Sequence, residues 1–264
     1  MARYASEGIR VVLVCATGGE EGEILNARMD QPGIVDRIAE IREAELATAC
    51  DILGVAKMYE LGYRDSGMPA SDANARPEAF CNADPAEAVG KIVEIIRKER
   101  PQVVVGYDES RGYEHPDHVC VHKWGGQAYE EAGNPDAYVD LGEPWQPSKY
   151  YHHATFTKKR FELLHEAAEA EGIESPYGGW LENWESIGFA EPEITTQVDC
   201  SDFIELRSKA LLAHATQIDP DSFWFAIPDD MVKKVYPWED YTLIESSVET
   251  ETPEDDLFAG LGSQ

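Results

Sequence analysis

Apolar positions in this sequence come as short continuous runs separated by longer stretches with a helical repeat. IRVVLVCA, residues 9–16, is a run of the first kind and predicts a strand. MARYASEG before it reads as the last turns of a helix that stops at Gly8. A Gly- and Glu-rich loop, TGGEEGEILN, follows the strand. Residues 34–53 then predict a helix, with Ile34, Ile38 and Ile41 on one stripe and Leu46, Cys50 and Leu53 on another. A short strand over residues 58–61 leads into the loop GYRDSGMP. Asp84-Pro85-Ala86-Glu87 has the form of an N-cap, a proline at the first helical position and a glutamate at the third. The helix it opens is expected to bury Val89, Ile92, Val93 and Ile96. In PQVVVGYDE, the unbroken run 103–105 predicts a strand covered on both faces.

Strands alternating with helices predict an α/β fold, a Rossmann-like and mostly parallel sheet flanked by helices. Ligands of such sheets bind at the carboxyl ends of strands. The loops TGGEEGE, GYRDSG and YDESRGYEHPDH each follow a strand, so they are expected to converge. From about Gly133 the pattern is less regular. It offers a strand at 149–155, a helix after Thr157, a strand at 194–200, a helix at 203–215 and an acidic tail from Glu245. No internal repeat or linker stands out, so residues 1–264 are expected to form one domain with an irregular C-terminal elaboration.

Charge narrows the function. The chain carries 51 acidic against 22 basic residues, a formal net charge of -29. That excludes nucleic-acid phosphates and anionic membrane surfaces as natural partners. The five cysteines are widely spaced and form no C-x-x-C, which points to a reducing cytoplasm. No signal peptide is expected ahead of the fold, and no apolar run is long enough to span a membrane.

The chemistry concentrates in RGYEHPDHVCVH. Pro116 suits the first turn of a helix, which leaves His115 at the cap and His118 inside that turn. A helix N-terminus disfavours imidazolium, and the neutral ring is the form that binds metal. A cap and a surface histidine are the plain alternative. His122 lies one turn after His118, so the two could chelate one metal, or His122 is an ordinary packed histidine. Cys120 points away from His118 and reads as core. Asp108, at a strand end, could orient a histidine. TGGEEGEI lacks a lysine and carries three glutamates, so it suits a neutral polyol better than phosphate, if it is more than a solvated turn. Arg42 alone would be a solvated face. Asp65 is either a turn residue or a hydroxyl binder.

Together, TGGEEGEILN, the R-x-x-E-L of Arg42 to Leu46, RDSGM and YDESRGYEHPDH resemble the LmbE-like, PIG-L family of zinc-dependent amide hydrolases. The resemblance covers nearly the whole chain. HATQIDPDSFWF and EDDLFAGL resemble the branch that cleaves the cysteinyl-glucosamine amide of mycothiol S-conjugates, a detoxification reaction on a small thiol–sugar substrate. The related branch deacetylates N-acetylglucosaminyl-inositol, and a sugar-binding relic without catalysis is a third reading. The resemblance implies zinc as cofactor and His118 as a ligand. It implies His115 as the residue that assists the tetrahedral intermediate or protonates the amine, and Tyr113 as the oxyanion donor. Arg42 and Asp65 would hold the sugar–inositol part, with Asn26 a further contact. It also implies a first strand ending in A-H-P-D-D-E, with two more ligands and the general base, upstream of Met1. The chain from Met1 is accordingly expected to be poorly stable, metal-poor and nearly inactive.

Overall fold

The computed structural model describes residues 1–108, 113–187 and 191–262. In chain order the helices and strands are α1 (Ala2–Ser6), β1 (Val12–Thr17), α2 (Ile38–Leu53), β2 (Lys57–Tyr63), α3 (Pro85–Glu99), β3 (Val103–Tyr107), α4 (Pro116–Ala132), β4 (Lys149–Ala154), α5 (Lys158–Ala170), α6 (Gly178–Glu182), α7 (Trp184–Ile187), β5 (Thr196–Asp199), α8 (Ile204–Ala213), α9 (Asp229–Val235) and β6 (Trp238–Ser246). They fall into two compact units. One comprises Met1–Gly67, Lys158–Ile187 and Cys200–Pro237, the other Met68–Thr157, Gly188–Asp199 and Trp238–Gln264.

In the first unit, β1 and β2 pair in parallel, Val12 opposite Lys57 and Cys15 opposite Glu60. The connection is α2, which packs on α8 and ends at Gly54 in the left-handed conformation (φ 72°) that glycine adopts without strain. The buried face of α2 differs from the expected stripes. It carries Ile38, Arg42, Glu45, Ala49 and Cys50. Two charged residues are buried in its middle because they satisfy backbone groups of two loops, a use that apolar periodicity cannot register.

The second unit holds a four-stranded mixed sheet in the order β3-β4-β6-β5. β3 and β4 are parallel, and β6 is antiparallel to both β4 and β5. The α/β class therefore holds, with an antiparallel half that the sequence did not announce. β6 escaped notice because its core-facing position is a carboxylate: Asp240 is fully buried and accepts a 2.8 Å hydrogen bond from Gln197 Nε2. α3 begins as expected, the Asp84 carboxylate accepting from the Ala86 N–H at 2.8 Å, and it packs on α4 through buried Val89, Val93 and Ile96. β3 is not covered on both faces. It is an edge strand of this sheet, and Val105 is 44% exposed.

The acidic tail is no loose end. Fully buried Glu254 accepts from Lys149 Nζ at 2.5 Å, from the Tyr151 hydroxyl at 2.7 Å and from the Thr196 hydroxyl at 2.7 Å. Lys149 also donates to the Ala259 carbonyl, and Tyr151 to that of Leu257. EDDLFAGL is thus clamped to β4 and β5. Burial pushes the Glu254 carboxyl up, but the bonds from Lys149, Thr250, Tyr151 and Thr196 together outweigh it and hold the carboxyl below its ordinary range.

Candidate active site

His115 caps α4 as its sequence suggests. Its Nδ1 accepts a hydrogen bond from the Asp117 backbone N–H at 3.2 Å, and Pro116 fills the first helical position. An accepting Nδ1 carries the lone pair, so the neutral ring holds its proton on Nε2. The cap therefore does more than close a helix: it fixes the tautomer in which Nε2–H is the donor. Asp117, the next residue but one, is buried, and its Oδ2 lies 4.0 Å from His115 Nδ1.

His118 sits in the first turn of the same helix and gathers aromatic rings. Its centroid is 4.7 Å from Tyr107 at the end of β3, 4.9 Å from Tyr113 and 5.7 Å from His115. Tyr113 is 49% exposed and lies nearly parallel to the His115 ring, 6.0 Å away. Tyr113, His115 and His118 are thus brought together by a strand end and a helix start. Residues 109–112 of the motif lie outside the described residues. The donors gathered here are two imidazoles and a carboxylate, the nitrogen and oxygen ligands that zinc accepts. Asp117 was not singled out in the sequence; an acid in the first turn of a helix was its only signal.

Cys120 behaves as core. Burial, aided by nearby Cys81 and Asp117, pushes its thiol up to about 11, so the nucleophilic and metal-binding thiolate is disfavoured. His122 turns its Nδ1 to the Tyr107 carbonyl at 3.0 Å.

In the first unit the loops after β1 and β2 do meet. Asp65 N–H donates to Glu20 Oε2 at 2.9 Å, Asp65 Oδ2 accepts from Glu21 N–H at 3.3 Å, and Arg64 pairs with Glu21 at 2.6 Å. Asp65 Oδ1 also accepts from Gly67 N–H, the local turn bond expected of an aspartate here. Arg42 is buried and threads the Gly-rich loop. Its guanidinium donates to the carbonyls of Gly19, Gly22 (2.8 Å) and Glu23 (3.0 Å), and its Nε to the Thr216 hydroxyl at 3.4 Å. A Cβ at Gly22 would run into that guanidinium, which explains the glycine. Burial lowers the pKa of Arg42, opposed by Glu45, Asp65 and Glu20.

Glu45, one turn on, accepts from the Thr216 N–H at 2.8 Å and its hydroxyl at 2.7 Å. Asn26 donates to the Ala215 carbonyl at 2.8 Å and accepts from Arg28 N–H at 3.1 Å. R-x-x-E-L, the asparagine and HATQ therefore form one polar knot. Sequence reading found its members and not their mutual bonds.

Comparison with known proteins adds a family. Residues 1–129 match the PIG-L model, described as GlcNAc-PI de-N-acetylase. The chain is 45% identical to a mycothiol S-conjugate amidase of Streptomyces coelicolor, over 99% of this chain and 90% of that protein. It is 39% identical to a 1D-myo-inositol 2-acetamido-2-deoxy-alpha-D-glucopyranoside deacetylase of Geodermatophilus obscurus, over 99% and 91%. Among solved structures, an N,N'-diacetylchitobiose deacetylase from Pyrococcus horikoshii shares the fold, with a TM-score of 0.60, 22% identity and coverage of 92% of this chain and 76% of that one.

Proposed function

The chain belongs to the PIG-L family of amide hydrolases, and from that membership we propose that it cleaves the amide between cysteine and glucosamine in mycothiol S-conjugates. The products are a mercapturic acid and glucosaminyl-inositol. The observation that carries this reading is the higher identity, along almost the full chain, to the amidase of Streptomyces coelicolor than to the deacetylase of Geodermatophilus obscurus. HATQIDPDSFWF and EDDLFAGL support the same branch. Free thiols at all five cysteines suit a reducing cytoplasm. Among the described residues no helix is long and apolar enough to cross a membrane.

His118 is our proposed zinc ligand, and Asp117, whose carboxylate lies 4.0 Å from His115 Nδ1 at the same helix start, is a further oxygen donor. Zinc, when bound, supplies Lewis-acid polarisation and a nucleophile at neutral pH. Two further roles fall to this chain's own groups. Water adds to the amide carbonyl and gives up a proton to the general base that the family resemblance implies, and the Tyr113 hydroxyl donates to the oxygen as negative charge develops there. The His115 Nε2–H assists the tetrahedral intermediate by donating a hydrogen bond to it, and the carbon–nitrogen bond breaks as the amine takes up the proton that the attacking water released. The cap bond supports this role, because it keeps the ring's proton on Nε2. In the first unit, Arg42, Asp65 and Asn26 serve the sugar–inositol part of the substrate by fixing the loops TGGEEGE and GYRDSG.

The deacetylase reading stays in play because the Geodermatophilus relative bears that name. The test is the ratio of two rates, not their absolute size. A mycothiol S-conjugate and N-acetylglucosaminyl-inositol are assayed side by side, with and without a chelator. Conjugate cleavage at least about 10-fold faster, abolished by chelation, is the expected result. A ratio inverted in favour of acetate release sinks the amidase reading.

A further inference from the structure

A second imidazole pair lies in the four-stranded unit, apart from the HPDH turn. His122, on the second turn of α4, faces His152 on β4, with ring centroids 5.1 Å apart and planes at 65°. His122 donates its Nδ1–H to the Tyr107 carbonyl at 3.0 Å, which leaves the lone pair on Nε2. A backbone carbonyl on the far ring nitrogen is the usual support of a metal-bound histidine. The spacing also fits. Two imidazoles on one tetrahedral ion, with metal–nitrogen bonds of about 2.0–2.1 Å, place their centroids about 5 Å apart.

A third feature points the same way. Tyr150 is 4% exposed, its hydroxyl has no hydrogen-bond partner, and its ring meets His152 edge-on at 5.2 Å. A buried hydroxyl without a partner needs an explanation. This one lies over Gly106, the register partner of His152: a Cβ at Gly106 would sit 2.5 Å from it, and one at Gly126 3.7 Å. The glycine at 106 makes room for that hydroxyl.

We propose that His122 and His152 form a second metal site, for a divalent ion of the copper–zinc class, whose remaining water or anion ligand accepts a hydrogen bond from Tyr150. Imidazole nitrogens select these ions over magnesium or calcium, and copper(II) binds tightest. The site does not depend on the amidase reading.

The test uses copper(II) as probe on the full chain carrying His118→Ala, with excess magnesium to occupy surface carboxylates. The expected electron paramagnetic resonance spectrum shows coupling to two imidazole nitrogens. Adding His122→Gln or His152→Gln should remove one coupling and weaken binding at least about 10-fold. Circular dichroism checks that each variant folds. The unmutated protein gives a variant-free readout, since zinc(II) should shift the ring resonances of His122 and His152 together. Copper affinity unchanged by both glutamine variants overturns the proposal. So does the loss of all nitrogen coupling with His118→Ala alone, or ring resonances that ignore zinc. Failure of the HPDH site would show differently, as metal binding and turnover that His118→Ala leaves untouched.

Discussion

At the start of α4 the motif side chains meet ring to ring, and Tyr113 is half exposed. In the knot around α2 the motif side chains are buried and spent on backbone groups: Arg42 on three carbonyls, Glu45 on Thr216, Asn26 on Ala215. Both sets looked alike in the sequence, as polar residues within the motifs that carry the family resemblance. The difference is one of spare capacity. The cap bond engages only one of the two His115 ring nitrogens, whereas Arg42 has nearly all of its donors committed to the fold. A group can act on a substrate only with bonding capacity that the fold has left over.

The sharpest way to break this contrast is His115→Asn. Asparagine is a good N-cap and can accept from the Asp117 N–H, so stability should hold, with the midpoint of thermal unfolding moving by less than about 2 °C. Its shorter amide, spent on the cap, puts no donor where the imidazole Nε2–H stood, so kcat should fall by about 10²–10³-fold. A large loss of stability would mean that the ring matters to packing. Unchanged turnover would remove His115 from the chemistry.

Arg42→Lys tests the other side. Lysine keeps the charge but cannot reach three carbonyls in a planar fork. The expected loss is about 3–5 kcal/mol of stability, because a buried charge and several carbonyls are left unsatisfied. Denaturant unfolding measures it. If Arg42 were chiefly a substrate contact, KM would rise with stability intact.

Next comes the buried pair in the four-stranded unit, which shows that the contrast is one of location, not of unit. Lys149→Met strips Glu254 of its cation and should also destabilise by about 3 kcal/mol at neutral pH. Glu254 has a lowered pKa in the fold, so its contribution is fully present above the ordinary carboxylate range of about 4.3 and is lost as pH falls through the folded value. In Lys149→Met the deficit should shrink on acidification, because the buried carboxyl can then take a proton. A deficit that stays constant between neutral pH and mild acid would exclude the pair as its source.

How much was legible follows the same line. Capped helices were readable, since Asp84-Pro85 and His115-Pro116 announce themselves by residue type and order. The tyrosine and two histidines of the second unit were readable from a motif and its place after a strand. β6 was not, because a buried aspartate interrupts its alternation, and neither was the inner face of α2, where Arg42 and Glu45 stand in core positions. Pattern reading equates apolar with buried. It fails where a polar group is buried because a distant loop supplies its partner, as Thr216 does for Glu45 across 171 positions of sequence.

Asn26 gives the smallest effect and the finest discrimination. Its amide spans two backbone groups, donating to Ala215 and accepting from Arg28, and it is buried. Asn26→Ala leaves both of those groups without their partner. Each net hydrogen bond is worth about 1 kcal/mol, so a loss of about 1–2 kcal/mol is expected. KM should change less than about 3-fold, because the loop that Asn26 pins is also held by Arg42 and by the Leu25 N–H bond to Thr216. Asn26→Asp sharpens the result: the carboxylate can still accept from Arg28 but cannot donate to Ala215, so it should lose the donor's share alone. If instead both variants keep full stability and KM rises 10-fold or more, Asn26 has spare capacity after all, and it belongs with Tyr113 and His115 among the groups that meet the substrate.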